Sequence, residues 1–106
     1  FIAAGAVVNS NSIVGKFTIV NTCASLDHDS KLMDFASMNP QSATGGRVFI
    51  GEKTTIGMGA LVRDGVIISE GCTIGMGAVV TKNILVPNVT SYGNPARIIN
   101  KSVVEN

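Results

Sequence analysis

The chain has 106 residues, 45% of them hydrophobic, and a formal net charge of +1. That length suits one domain, and the near-zero charge lacks the basic footprint of a nucleic-acid-binding protein. Its apolar runs are broken by Gly, Asn or Ser within a few residues, far short of a membrane span.

Only five residues are aromatic and none is Trp, so the apolar content is mostly Val, Ile, Leu, Ala and Met. Such side chains suit a narrow, regular interior. No charged segment precedes an apolar one at Phe1, so no signal peptide is read there. The chain starts without Met and in mid-pattern, and is expected to be a fragment or a processed product. Cys23 and Cys72 are too few for a disulfide framework and lack metal-ligand spacing. They read as reduced thiols of a cytoplasmic protein.

From Ile2 onward the chain repeats every six residues. Ile2, Val8, Val14, Val20, Leu26, Leu32, Met38, Thr44, Ile50, Ile56, Val62, Ile68, Ile74 and Val80 form one column, and all but Thr44 are aliphatic or Met. A second column runs from Ala6 through Ser12, Thr18, Ala24, Ser30, Ala36 and Ser42 to Ala78, and holds small or β-branched residues. A third, following each aliphatic residue, contains Asn9, Gly15, Asn21, Asp27, Asn39, Gly45, Gly51, Gly57 and Gly75. Gly, Asn and Asp tolerate left-handed or tight turn conformations, so this column is expected at the bends.

Each hexad then reads as a short strand plus a corner. The aliphatic residue and the small residue two positions before it share one side of the strand and point inward. Three hexads close a triangle, which makes one coil eighteen residues long. A period of six matches neither helical repeat, and Gly recurs too often for a helix. The pattern runs without an inserted loop to about Val80 and then stops. Thr81–Asn94 contains Pro87, Asn88 and Gly93 and reads as loop. Asn94-Pro95-Ala96 can cap and start a short helix running to about Val104, with a final strand as the alternative.

Stacked coils place residues eighteen apart one above another, at a spacing of roughly 4.8 Å. One corner column is Thr22, Pro40, Met58 and Met76; a second is His28, Gly46, Asp64 and Lys82; a third is Lys16, Asp34, Glu52 and Glu70. The third reads as solvated surface. The second holds the only histidine of the chain, directly below Gly46, whose N–H no side chain guards. His28 lies between Asp27 and Asp29. A carboxylate beside an imidazole can select its tautomer, which suits a general base. The plain alternative is an exposed histidine with acidic neighbours.

The runs Asp27-His28-Asp29, Asp34-Phe35, Gly45-Gly46-Arg47-Val48-Phe49-Ile50-Gly51-Glu52 and Ile56-Gly57-Met58-Gly59-Ala60 resemble the hexapeptide-repeat acetyltransferases of bacterial sugar biosynthesis. Gly75–Lys82 and Tyr92-Gly93-Asn94-Pro95-Ala96-Arg97 resemble the end of that fold. The likeness is greatest to the nucleotide-amino-sugar N-acetyltransferases and the sialic-acid O-acetyltransferases. It implies an all-β fold, a left-handed parallel β-helix of about 4–5 triangular coils, against the usual right-handed crossover sense. The β-helix domain is expected over residues 1–82, with a C-terminal loop and short terminal segment over 83–106. The sugar-nucleotide-binding domain that often precedes this fold is expected to be absent from the chain.

By the same resemblance His28 is the general base, Asp29 orients it, and the Gly46 N–H holds the acetyl carbonyl of acetyl-CoA. Asp27 has no family role and reads as turn chemistry. Met58, Gly59, Met76 and Gly77 are expected along the pantetheine arm, which in this family lies between neighbouring subunits of a homotrimer. Lys82 is expected at a CoA phosphate, and Asn94, Pro95 and Arg97 near the adenine end. Two positions depart from the family pattern: Met33 stands where Gly is usual, and Thr44 interrupts the aliphatic column.

The expected reaction is acetyl transfer to the amine of a nucleotide-linked amino sugar, with O-acetylation of sialic acid or another sugar hydroxyl as the alternative. A non-catalytic trimerisation scaffold is the third reading; it has no need of a base at that corner. The zinc carbonic-anhydrase use of this fold requires three histidines, and His28 is alone, so no metal is expected.

Overall fold

A six-residue unit gives two residues to a strand and four to a bend. The computed structural model describes residues 1–101, and in it the hexads become thirteen two-residue strands, from Val7–Val8 to Val79–Val80. These strands pair in parallel at eighteen-residue offsets, as in Val7↔Ser25, Thr55↔Thr73 and Phe49↔Ile67. The result is a parallel β-helix with three faces, about five turns long. Its first face stacks Val7–Val8, Ser25–Leu26, Ala43–Thr44, Leu61–Val62 and Val79–Val80. The second stacks Ile13–Val14, Lys31–Leu32, Phe49–Ile50 and Ile67–Ile68. On the third lie Ile19–Val20, Ser37–Met38, Thr55–Ile56 and Thr73–Ile74.

The second residue of each strand points inward. Leu26, Leu32, Met38, Ile50, Ile56 and Ile68 are fully buried, and Ala24, Ala36, Ala60 and Ala78 from the small column fill the space beside them. The interior is one side chain thick from each face, so a large residue must be paired with a small one. Ser30, Ser42 and Thr54 are also buried in the small column. Their hydroxyls bond to backbone carbonyls, Ser42 to Asn39 at 2.7 Å and Thr54 to Ser69 at 2.7 Å. Buried hydroxyls are tolerated when satisfied in this way.

The left-handed positions differ from the expectation. Positive φ falls two residues after the Gly/Asn/Asp column, at Asn11, Phe17, Cys23, Asp29, Phe35, Gln41, Arg47 and Lys53, and at Gly59, Gly65, Gly71 and Gly77. The glycines of the expected column answer to crowding instead. A Cβ on Gly45 would stand 2.7 Å from the Asp64 nitrogen, and one on Gly51 would stand 2.6 Å from that of Glu70. Coil stacking there leaves no room for a side chain.

The C-terminal segment also departs from expectation. Val89–Gly93 is a strand, not loop, and pairs in parallel with Thr73–Ile74. Ala96–Lys101 is a strand antiparallel to it, so the helix expected from Pro95 does not form; the last residues of that expectation lie outside the described segment. The physical reason is non-local. The last third-face strand leaves an open edge, and buried Val89 and Ser91 continue the inward alternation over it. A local helix-start signal cannot compete with a ladder of backbone hydrogen bonds and core burial.

The inward column carries the stability of the fold. Ile56→Ala is expected to destabilise by about 2–5 kcal/mol, whereas Lys31→Ala on the surface should stay within about 0.5 kcal/mol. Urea unfolding followed by circular dichroism measures both.

Candidate active site

The first face ends in two corners. Thr22, Pro40, Met58 and Met76 stack along the edge where the chain enters the face. His28, Gly46, Asp64 and Lys82 stack along the edge where it leaves.

At the exit corner the stacking brings His28 and Gly46 into contact. A Cβ built on Gly46 would collide with the imidazole at Cε1 and Nε2 and lie 3.0 Å from Cδ2. Only a glycine lets the ring settle there. Gly46 is buried, and among the described residues no group accepts a hydrogen bond from its N–H. A buried backbone donor without a partner is uncommon, and this one lies beside an imidazole.

The ring's other side is tied down. His28 Nδ1 lies 3.0 Å from Asp29 Oδ2, with both side chains about half exposed. Asp29 adopts φ 58°, the left-handed corner conformation, which turns its carboxylate back toward the preceding residue. A carboxylate at Nδ1 selects the tautomer with the proton on Nδ1 and leaves the Nε2 lone pair free. The His28 backbone is held as well: its N–H donates to Asp27 Oδ1 at 2.7 Å, and its carbonyl accepts the Arg47 N–H at 2.8 Å. This arrangement can take a proton at Nε2 and donate a hydrogen bond from Gly46 to an oxygen. The His28 side chain is about half exposed at this corner, and Gly46 is buried beside it.

The residues expected along a pantetheine arm sit elsewhere. Met58 and Met76 are exposed at the entry corner, on the opposite edge of the first face, roughly 20 Å away by the rise of extended chain. Gly59 and Gly77 adopt φ +70° and +72° with open space beside them. Their N–H groups are engaged in stacking, to Pro40 at 3.1 Å and Met58 at 2.8 Å. Those of Met58 and Met76 have no acceptor among the described residues.

Lys82 and Arg97 come together, lining a cleft of about 280 Å³ with Asn83 and Ser91 where the C-terminal hairpin meets the last coil. Asn94 and Pro95 form the turn of that hairpin, between Gly93 and Ala96, which pair with each other. The expected residues therefore form three groups: His28, Asp29 and Gly46 at one corner, the Met–Gly pairs at another, and the cationic cleft at the end.

Asp27, expected as turn chemistry alone, is tied to Asn9, His28 and Thr44. Two features of the sequence mark it: Thr44 as the exception in the aliphatic column, and the eighteen-residue spacing of Asn9 and Asp27. The Asp34 column lies at the surface as expected, with Glu52 and Glu70 exposed, and there Asp34 Oδ1 accepts the Lys16 N–H at 2.9 Å. Among the described residues no group of three His, Cys, Asp or Glu side chains could hold a metal, and no helix is long and apolar enough to cross a membrane.

Residues 47–82 match the family model of the bacterial transferase hexapeptide (six repeats). Residues 47–82 thus carry the hexapeptide repeat of that model, and the fold of the chain is a left-handed parallel β-helix. No curated protein sequence matches the chain.

Among solved structures, the chain is similar to the acetyltransferase domain of PglB from Neisseria gonorrhoeae in complex with acetyl coenzyme A. The two are 32% identical with a TM-score of 0.79, over 92% of this chain and 56% of that one. A maltose O-acetyltransferase from Clostridium difficile shares the fold at 24% identity and a TM-score of 0.79, over 93% of this chain and 67% of that one. A mutant perosamine N-acetyltransferase from Caulobacter crescentus, in complex with CoA and GDP-perosamine, shares it at 24% identity and a TM-score of 0.69, over 93% and 57%. The chain thus spans about half to two thirds of the length of these structures.

Gly46→Ala tests the contact at the exit corner. The added methyl meets a movable side chain rather than backbone, so the fold is expected to survive while the imidazole is displaced. Because His28 is the only histidine, its ring resonances report this without ambiguity. Ring shifts identical to wild type would show that the two do not touch.

Proposed function

We propose that the protein transfers an acetyl group from acetyl-CoA to the amine of a nucleotide-linked amino sugar. The observation that carries this reading is the His28 imidazole resting on Gly46, with Nδ1 held by Asp29 and the Gly46 N–H unpaired. The likeness to an acetyltransferase domain crystallised with acetyl coenzyme A supports the donor. The GDP-perosamine complex of a structure with the same fold supports the acceptor class.

In the proposed reaction the acceptor amine attacks the thioester carbonyl carbon. Its proton passes to Nε2 of His28, and the new C–N bond forms as the carbonyl oxygen gains charge. The Gly46 N–H would donate to that oxygen, where a preorganised donor acts most strongly. The tetrahedral intermediate collapses, the C–S bond breaks, and the departing CoA sulfur takes the proton from the imidazolium. No protein nucleophile is required: Cys72 is buried and Cys23 lies at the entry corner. Asp29 holds the ring and balances its charge while it carries the proton.

Lys82 and Arg97, with Asn94 and Pro95 at the adjoining hairpin turn, would receive the phosphates and adenine end of CoA. The Met58-Gly59 and Met76-Gly77 corner would line the pantetheine arm. Its position across the face from His28 supports a site shared between copies of the chain, with the entry corner of one against the exit corner of the next. The outward residues of the first face, Val7, Ser25, Ala43, Leu61 and Val79, carry no charge, which suits such packing. A homotrimer is the proposed assembly, in the cytoplasm where acetyl-CoA is available.

O-acetylation of a sugar hydroxyl is the second reading, favoured by the shared fold of the maltose O-acetyltransferase. It uses the same base and the same N–H.

Thiol release from acetyl-CoA with a panel of nucleotide-linked amino sugars, sialic acid and maltose separates the two. His28→Ala should lower turnover by about 10²–10⁴. Undiminished turnover in that variant would remove His28 from the mechanism. Light scattering should give three times the chain mass, and a single-chain mass at full activity would exclude the shared site.

A further inference from the structure

We propose that Thr44 and Asp27 are positioning residues for His28. The Thr44 hydroxyl replaces a backbone carbonyl at one rung of the coil ladder and thereby sets the corner from which the imidazole projects. The inference rests on the reading of His28 as the base.

Along the β-helix, the residue after a strand donates its N–H to the carbonyl seventeen residues ahead. Asn9 donates to Leu26 at 2.9 Å, Asn21 to Met38 at 2.9 Å, Gly45 to Val62 at 2.8 Å and Arg63 to Val80 at 2.9 Å. Asp27 breaks the rule. Its N–H donates to Thr44 Oγ1, at 3.1 Å. The strand register shows the same interruption: Val7–Val8 and Leu61–Val62 pair with their neighbours through two residues, whereas Ser25–Leu26 meets Ala43–Thr44 through Ser25↔Ala43 alone.

Thr44 is buried, at 7% exposure, in the column that is otherwise aliphatic or Met. An aliphatic side chain would serve the core better there, because a buried hydroxyl is costly unless bonded. The hydroxyl is directed at the residue before His28.

Asp27 passes the constraint on. Its Oδ1 accepts the His28 N–H at 2.7 Å and the Asn9 side-chain amide at 2.9 Å. Half of this motif is ordinary turn chemistry, since Asn21 Oδ1 accepts the Thr22 N–H at 2.7 Å in the same way. Asp27 adds two ties, to Asn9 in the coil below and to Thr44 in the coil above. Three coils thus converge on one side chain's backbone. Small displacements of a reacting group cost rate steeply, so such ties are of use at a base and of little use elsewhere on this surface.

The test uses the full chain with four substitutions. Thr44→Val removes the hydroxyl and lets the Asp27 N–H return to the backbone carbonyl of position 44. The melting temperature should equal or exceed that of wild type, while kcat falls about 10- to 100-fold and the KM for acetyl-CoA stays within about twofold. Thr44→Ser keeps the hydroxyl and should restore kcat. Asp27→Ala should lower kcat in the same manner, and Asp27→Asn, which retains the acceptor oxygen, should not.

A readout independent of turnover is the ¹⁵N spectrum of the single imidazole. Wild type should show one narrow Nδ1–H tautomer, and Thr44→Val and Asp27→Ala a broadened or mixed one. Wild-type kcat and unchanged ring signals in Thr44→Val would overturn the proposal. So would equal losses in Asp27→Asn and Asp27→Ala, which would assign Asp27 a role through its charge. An inactive wild type would sink the acetyl-transfer reading, and the ring signals would still decide the positioning claim.

Discussion

Everything in this molecule depends on the stacking of eighteen-residue coils at one strand spacing around an interior too thin for two large side chains. Parallel pairing holds each coil to the next, as in Thr55↔Thr73 and Ile56↔Ile74. The narrow interior forces the alternation of an aliphatic residue with a small one. The close approach of corners excludes any Cβ at Gly45, Gly51 and Gly57, where the next coil's backbone already fills the space. Patterning, turn chemistry and glycine placement are thus three consequences of a single geometry.

The same stacking makes the candidate site. A side chain on one coil is covered by the residue eighteen positions on, so His28 is bound to meet position 46, and glycine there turns a collision into a contact. The corner conformation then supplies the orienting group. Asp29 occupies the left-handed position that every coil must fill, and its carboxylate reaches back to Nδ1. Repetition creates equivalent corners, and their side chains distinguish them. Met58 and Met76 share the bare N–H of Gly46 but have no imidazole beneath it.

The one departure from the aliphatic column lies where the chemistry is proposed. Thr44 exchanges apolar burial for a hydrogen bond, and Ser12 and Ser30 continue the polar connection beneath the same corner. Ser12 donates to the Asp27 carbonyl at 2.7 Å, and the Val48 N–H donates to Ser30 at 3.1 Å. A regular solenoid gains nothing from polar groups in its core beyond what satisfies its backbone. Thr54 makes the same pair of bonds at another corner, to the Ser69 carbonyl and from the Cys72 N–H, so the exchange peculiar to the His28 corner is that of Thr44.

The hexad period was enough to read the strands, the inward columns, the coil length and the vertical neighbours. The reason is that a solenoid converts sequence separation into spatial contact by a constant offset. The pairing of His28 with Gly46 was legible for that reason, and so was the corner that holds Met58 and Met76. Other features depended on atoms that no period specifies. Gly45 looked like a conformational requirement and is a steric one, because the distance to Asp64 appears only once coils are stacked. Asn94-Pro95-Ala96 looked like a helix start, and the open edge beside Thr73–Ile74 drew the segment into a hairpin. That hairpin in turn brought Arg97 to Lys82, a meeting that needed the last coil to end where it does. The sequence by itself determined the repeat and its register; the tertiary structure alone decided which backbone groups were left without partners, because a hydrogen bond is made or lost over a few tenths of an ångström.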